Sequence, residues 1–202
     1  MKKILFALVV FYTYAINAAN QQPSPTAIEQ KIAVCVACHG QQGISVNPQW
    51  PNLAGQHASY LFKQLKDYKA VKTRNVPTMT AIVANLNEND MLELAKYYSE
   101  QTLPKGATPE KFVQRGQQLY RGGDFDKHIT ACIACHGPKG TGNEQAGFPV
   151  LSGQHAAYTI LQLQAFKEGK RSNDLNGIMR DISSRMSQED MEAVAYYIQG
   201  LH

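Results

Sequence analysis

Two stretches decide the fold of this chain: Cys35-Val36-Ala37-Cys38-His39-Gly40 and Cys132-Ile133-Ala134-Cys135-His136-Gly137. Both contain Cys-x-x-Cys-His, the spacing that is typical of covalent c-type haem attachment. The two thiols can add to the two vinyl groups of one haem, and the adjoining histidine then lies beneath the porphyrin as an iron ligand. The motifs therefore predict two covalently bound haem c groups, one in each half of the chain.

The chain outside these motifs is also duplicated. Residues 51–60, PNLAGQHASY, match residues 149–158, PVLSGQHAAY, and further matched pairs follow at an offset of 97 to 100 residues. A long period with a complete motif set in each copy indicates two tandem domains, since solenoid repeats are shorter and more numerous. Proline and glycine break the pattern between the copies. We therefore expect a first domain over residues 20–103, a linker over 104–108 and a second domain over 109–202.

Each copy has the pattern of a helical domain, and no strand alternation stands out. The predicted helix starts fall at residues 24–26 and Thr108-Pro109, after Gly55 and Gly153, and at Asn87 and Ser187. The last helix has a clear apolar face at i, i+3, i+4 and i+7, formed in the first copy by Met91, Leu94, Ala95 and Tyr98. Domains of fewer than a hundred residues have a thin core by themselves, so a buried haem would supply the missing apolar mass.

Residues 1–19 have the layout of a secretory signal peptide. Two lysines precede an apolar run over residues 4–16, and the small residues Ala18 and Ala19 follow. We expect cleavage near these alanines; an uncleaved membrane anchor is the alternative, but the run is short for a bilayer span. Cleavage would leave 18 basic and 16 acidic residues, so charge gives no reason to expect nucleic-acid binding.

Two other uses of the four cysteines have to be weighed. In an exported protein they would first suggest two disulfides, and paired Cys-x-x-Cys motifs can also hold zinc. The histidine after each second cysteine argues against disulfides. Almost a hundred residues separate the two pairs, whereas the pairs of a zinc site usually lie about fifteen to twenty residues apart, which argues against zinc.

Methionine is the first candidate for the sixth iron ligand, because a thioether raises the reduction potential and closes the iron to small molecules. Three methionines fall at core positions of the helical pattern: Met91, Met186 and Met191. Met79 and Met179 match each other in the loop ahead of the last helix, and we expect these two to bind iron.

Histidine is the other candidate for the sixth ligand. His57 and His155 match each other and could be bis-histidine ligands. Each starts a helix directly after Gly-Gln, close in sequence to the haem-binding segment, so packing or hydrogen bonding is favoured for both. His128 and His202 have no counterpart in the other copy and are not candidates.

With its two Cys-x-x-Cys-His-Gly motifs, two Pro-x-Leu-x-Gly-Gln segments and two methionines ahead of the final helices, the chain resembles dihaem cytochromes of the cytochrome c4 type. The resemblance covers essentially the whole chain after the signal segment. It implies an all-α fold of two tandem class I cytochrome c domains, each wrapped around one covalently bound haem. It also implies axial ligation by His39 and Met79 in the first domain and by His136 and Met179 in the second.

The resemblance assigns a supporting role to Pro51 and Pro149, whose carbonyls would accept the ring N–H of the haem-binding histidines. The sequence departs from the family pattern in two places. Gly116 is expected to let the first helix of the second copy cross the last helix closely, whereas Ile28 lies near that position in the first copy. The segment from the matched histidine to Met79 is also two residues shorter than its counterpart in the second copy.

The function that follows is electron transfer by a periplasmic carrier rather than enzymatic catalysis. The resemblance implies a quinol-oxidising complex or another dehydrogenase upstream and a terminal oxidase downstream. We also expect peripheral membrane association and, from the charge balance, no nucleic-acid partner. Two alternatives are a cytochrome subunit docked permanently on a dehydrogenase and a dihaem peroxidase with one open iron. The duplicated methionines argue against the peroxidase.

Overall fold

A computed structural model describes residues 27–202, and the regular structure in this range is helical. The first copy contributes α1 (Ala27–His39), α2 (Ala58–Ala70), α3 (Pro77–Val83) and α4 (Glu88–Ser99). The second contributes α5 (Glu110–Gly122), α6 (Ile133–His136), α7 (Ala156–Lys167), α8 (Ile178–Ser184) and α9 (Gln188–Gln199). Between residues 27 and 202, β-structure is limited to isolated bridges, and the all-α prediction is confirmed. The predicted signal peptide, residues 1–19, lies outside the described residues.

The last helix of each copy begins where the sequence predicts. The Asn87 side chain accepts a hydrogen bond of 2.9 Å from the Asp90 backbone, and the Asp90 carboxylate accepts one of 2.9 Å from the Asn87 backbone. Ser187 and Asp190 make the same reciprocal pair ahead of α9, at 3.2 and 3.1 Å. These capping boxes satisfy backbone N–H groups that have no partner inside the helix.

Each copy has its own hydrophobic core, built on the apolar face of its last helix. In the first copy α4 meets α1 and α2 through Ile32, Leu61, Leu94, Ala95 and Tyr98. The core of the second copy is larger and includes Leu119, Tyr120, Ile129, Leu163, Met186, Met191, Val194 and Ile198. The predicted apolar face of the last helix is therefore confirmed in both copies.

The first and last helices of the second copy cross at Gly116. A side chain at this position would collide with the Ala193 carbonyl and with Cβ of Tyr197, so the close approach requires glycine. Tyr120, one turn further along α5, is fully buried. The predicted crossing is confirmed there, whereas in the first copy the half-buried Ile28 packs against the core in place of a glycine contact.

The haem motif has a different setting in each copy, which the sequence pattern did not predict. In the first copy α1 runs without a break through Cys35 and Cys38 to His39. In the second copy α5 ends at Gly122, and a loop closed by backbone hydrogen bonds between Asp124 and Ile129 precedes the short α6.

Two local predictions need correction. α5 begins one residue later than predicted, and Thr108 is not its cap, because the Thr108 hydroxyl donates to carbonyls at the C-terminal end of α9 at 3.2 and 3.3 Å. Met79 and Met179 lie in the short helices α3 and α8 instead of loops. A helix of seven residues is too short for hydrophobic periodicity to reveal.

The two copies meet in a seam with two-fold pseudosymmetry. The Gln56 side chain donates to the Val150 carbonyl and accepts from the Val150 backbone N–H, both at 2.9 Å. Gln154 does the same to the backbone of Asn52, again at 2.9 Å in both directions. Because both pairs are matched in the repeat, the segments that follow the two haem motifs are held against each other. None of the helices within residues 27–202 has the length and apolar character needed to cross a bilayer.

Candidate haem-binding site

A cavity of about 720 Å³ lies between the two copies, and its lining is mostly apolar. All but one of the side chains expected at a haem line it: Cys35, His39 and Met79 from the first copy, and Cys132, Cys135, His136 and Met179 from the second. Cys38 does not line it. Residues about a hundred positions apart in the sequence are therefore brought to one space.

Each haem-motif histidine is fixed by a backbone carbonyl. Nδ1 of His39 lies 2.9 Å from the carbonyl oxygen of Pro51, and Nδ1 of His136 lies 2.9 Å from that of Pro149. Because a carbonyl only accepts, Nδ1 carries the proton in both rings, and Nε2 keeps its lone pair for a metal. Burial lowers the pKa of both histidines, which keeps them neutral as a metal ligand must be.

The cysteines that line the cavity are partly buried thiols. Burial raises the pKa of Cys35, and it raises the pKa of Cys132 to about 12. All four cysteines of the described chain are free of disulfides. These side chains are therefore available for two thioether links in each copy.

Short tethered helices hold the two matched methionines at the cavity. Pro77 lies in the first turn of α3, and the Thr80 hydroxyl donates to the Tyr68 carbonyl of α2 at 3.3 Å, which presents Met79. α8 follows a left-handed Gly177, and the Arg180 backbone N–H and Nε both donate to Asp174, at 3.0 and 2.8 Å. Both methionines are partly buried.

The other candidate ligands lie elsewhere or in the cores. Met91 and Met191 are buried in the packing of α4 and α9, and Met186 borders the cavity from within the second core. His57 and His155 do not line the cavity. His155 Nε2 lies 2.8 Å from the Ser45 carbonyl, and His57 Nε2 is buried without a partner in the described structure.

Two buried arginines, which the sequence reasoning missed, also line the cavity. Arg74 donates to the Tyr158 hydroxyl at 2.8 Å, and Arg171 donates to the Tyr60 hydroxyl at 2.8 Å, so each reaches across the seam to the other copy. The other side chains that accept hydrogen bonds from the two guanidinium groups are amides: Gln64, Gln162 and Asn173. Neither guanidinium forms an ion pair with a carboxylate of residues 27–202, although the exposed fractions are only 4% and 6%. The available signal was that both arginines occupy matched positions, 97 residues apart.

This arrangement fits two haem groups. The cavity supplies apolar walls, attachment thiols, and a neutral histidine and a methionine from each copy. Haem also carries carboxylates, and a buried cation without a protein counterion is a suitable partner for such a group.

Comparison with known proteins agrees with this chemistry. The cytochrome c family model matches the chain twice, at residues 29–101 and 113–202. The sequence is 43% identical to cytochrome c4 of Stutzerimonas stutzeri over the full length of both chains. It is 38% identical to a thiosulfate dehydrogenase electron acceptor of Thiomonas intermedia, over 85% of this chain and 80% of that protein.

Among solved structures, reduced cytochrome c4 from Pseudomonas stutzeri superposes with a TM-score of 0.83 at 45% identity, covering 87% of this chain and 97% of that one. The two family matches and the paired motifs give two covalently bound haem c groups. The chain therefore belongs to the cytochrome c4 family of dihaem electron-transfer cytochromes.

Proposed function

We propose that the chain is a periplasmic carrier that passes single electrons through two haems, the iron of the first of which would be held by His39 and Met79 and that of the second by His136 and Met179. The observation that carries this proposal is that all four side chains line one cavity together with three of the four expected haem-attaching cysteines, Cys35, Cys132 and Cys135. Each bound haem supplies one Fe(III)/Fe(II) couple. With a histidine and a methionine both bound to each iron, no coordination position would remain for a substrate, which favours electron transfer over catalysis.

The protein's own groups set the conditions for that couple. The carbonyls of Pro51 and Pro149 orient the two histidines and hold the proton on Nδ1, so that Nε2 remains a donor to iron in both oxidation states. The apolar walls exclude water, which favours the less charged ferrous state and raises the potential.

Arg74 and Arg171 are the residues best suited to hold haem carboxylates. They are buried, they border the cavity, and their protein partners are hydroxyl and amide groups. Desolvation of an unpaired guanidinium is costly, so an anion at this position would stabilise the seam. Since each arginine reaches the opposite copy, charge at one haem would be felt at the other.

Electron exchange between the copies would take place inside the protein. Both sets of predicted ligands line one cavity. The hydrogen bonds of Gln56 and Gln154 to the backbone of the opposite copy hold the two halves against each other. A second electron could therefore enter through one copy and leave through the other.

The proposed partners are a quinol-oxidising complex or a dehydrogenase as electron donor and a terminal oxidase as acceptor. Periplasmic localisation rests on the layout of residues 1–19 and on the c-type attachment motifs. A second candidate function is that of a dedicated acceptor subunit of a dehydrogenase. The observation that favours it is the 38% identity to a protein named as a thiosulfate dehydrogenase electron acceptor.

Mass spectrometry of the protein matured in a periplasm with a c-type maturation system tests attachment. The expected mass is that of the cleaved chain plus two haems, and Cys35→Ala/Cys38→Ala should remove one of them. Fewer than two haems in the wild-type protein would contradict the proposal. Co-purification of a stoichiometric dehydrogenase from the native periplasm would favour the subunit role over the free carrier.

A further inference from the structure

The C-terminal end of the last helix presents a different residue to the cavity in each copy. Tyr98 of α4 and Ile198 of α9 are matched in the repeat, both are 3% exposed, and both line the cavity. The backbones of the two residues make matching hydrogen bonds. The Tyr98 carbonyl accepts from Gly55 N–H at 3.0 Å, and the Ile198 carbonyl accepts from Gly153 N–H at 3.3 Å. The two positions therefore differ only in their side chains.

In the second copy a buried tyrosine lies on the first helix instead of the last. Tyr120 of α5 packs in the same core as Ile198, and in the first copy Ile32 of α1 packs against Tyr98. Tyrosine and isoleucine have thus exchanged helices between the two copies. The exchange conserves apolar bulk but moves the hydroxyl group.

The two hydroxyls have different partners. Tyr120 donates to the carbonyl oxygen of Gly137 at 2.7 Å, directly after the second haem motif. The Tyr98 hydroxyl is buried and has no hydrogen-bond partner in the described structure. A buried hydroxyl that is left unpaired is destabilising, so an acceptor is expected when the protein carries its haem.

The acceptor that the packing offers is the sulfur of Cys35, because Cys35 packs against the core cluster that contains Tyr98 and both residues line the cavity. Burial raises the pKa of the Cys35 thiol, and the nearby Tyr98 hydroxyl lowers it. Burial also raises the pKa of Tyr98, so the phenol keeps its proton and remains a donor. Haem attachment turns this thiol into a thioether, which can accept but has no proton to donate.

We infer that Tyr98 is a positioning residue of the first haem only: its hydroxyl donates a hydrogen bond to the Cys35 thioether sulfur and raises the reduction potential of that haem relative to the second. The hydrogen bond draws electron density from the sulfur on the porphyrin edge, which disfavours the more positive ferric state. This inference rests on the proposed haem attachment at Cys35. It adds a cause for unequal potentials in the two copies.

The test is a spectroscopic redox titration of holoprotein with Tyr98→Phe, beside Tyr97→Phe as the matched control. Tyr97 lies next to Tyr98 with its ring edge-on at 5.0 Å, and it does not line the cavity. Tyr98→Phe is expected to shift one of the two steps toward the ferric state by about threefold in the ferric-to-ferrous equilibrium, which is about 28 mV for one electron. The step that shifts should be the one that Met79→Ala also moves, and Tyr97→Phe should shift neither.

Two attached haems with unchanged potentials in Tyr98→Phe would overturn the inference and leave the proposed function intact. Equal shifts of both steps, or the same shift in Tyr97→Phe, would also overturn it, because a general loosening of the core would act in this way. A wild-type protein without haem at Cys35 would overturn both proposals.

Discussion

The two copies carry the same haem motif, but the helices that support the motif are arranged differently. In the first copy one helix, α1, supplies both the motif and the contact with the last helix. In the second copy these tasks are divided, since α5 packs closely along α9 through Gly116 and a separate short helix carries the motif. Duplication has therefore preserved the haem chemistry while the support around it has diverged.

The ion pairs at the start of the last helix also differ between the copies, and those of the second copy are more buried. Asp190, at the start of α9, is paired with Arg115 at 2.5 Å and Lys127 at 2.6 Å, and its side chain is 3% exposed. The matching Asp90 pairs with Lys31 at the more open start of α4. We conclude that the second copy is the more stable unit.

The largest effect is expected at the α5–α9 crossing. Gly116→Val would drive a branched side chain into the Ala193 carbonyl and Tyr197, at a cost of about 3 kcal/mol in the free energy of unfolding. Ile28→Val in the first copy removes one methyl group from a half-buried site and should cost less than about 1 kcal/mol. Urea denaturation of both holoproteins measures the difference, and equal losses would contradict the proposed asymmetry.

The proposed methionine ligands come next. Met79→Ala and Met179→Ala should each lower the potential of one haem by on the order of 0.1 V, because a thioether ligand favours the ferrous state. Each variant should lose the ferric methionine-to-iron absorption of one haem and keep that of the other. Met91→Ala and Met191→Ala serve as controls, since these core residues should affect stability and leave both absorptions in place.

The Asp190 network should make the stability of the second copy sensitive to acid. Burial opposes ionisation of Asp190, but Lys127 and Arg115 outweigh it and hold the carboxyl pKa below its usual value. A lowered folded-state pKa gives stability that is present above the unfolded value of about 3.9 and is lost as the pH falls below it. Asp190→Asn should cost about 2 kcal/mol at pH 7 and flatten the acid dependence of unfolding. Asp90→Asn should have a smaller effect, and a larger one would reverse the ranking of the copies.

The smallest difference in stability between matched variants is expected at the seam, where the hydrogen bonds of the two copies are symmetric. Gln56→Ala and Gln154→Ala each leave one backbone N–H and one carbonyl of the other copy without a partner, so both should cost about 1–2 kcal/mol. Thermal unfolding followed at the haem absorption compares the two variants. Clearly unequal losses would mean that the seam is not the two-fold element described above.

Much of the architecture can be predicted from local patterns in the sequence. The haem motifs, the repeat, the apolar face of α4 and α9, and the helix starts at Asn87 and Ser187 all follow from spacing and capping chemistry. The short helices of Met79 and Met179 do not, because seven residues give too little periodicity.

Features that depend on the meeting of the two copies are hidden from the sequence. Arg74 and Arg171 look like ordinary surface charges until the fold buries them against Tyr158 and Tyr60. The repeat alignment shows tyrosine opposite isoleucine at Tyr98, but only the packing reveals that its hydroxyl lacks a partner. Burial of polar groups is a tertiary property, and it has no signature in residue spacing.

A spectroscopic redox titration of the wild-type holoprotein tests the central claim most directly. Two covalently attached haems with methionine on both irons predict two one-electron steps, both ferric methionine-to-iron absorptions, and no tight carbon monoxide binding by the reduced protein. A single step from one haem, or a reduced iron that binds carbon monoxide tightly, would contradict the account of two closed electron-transfer centres.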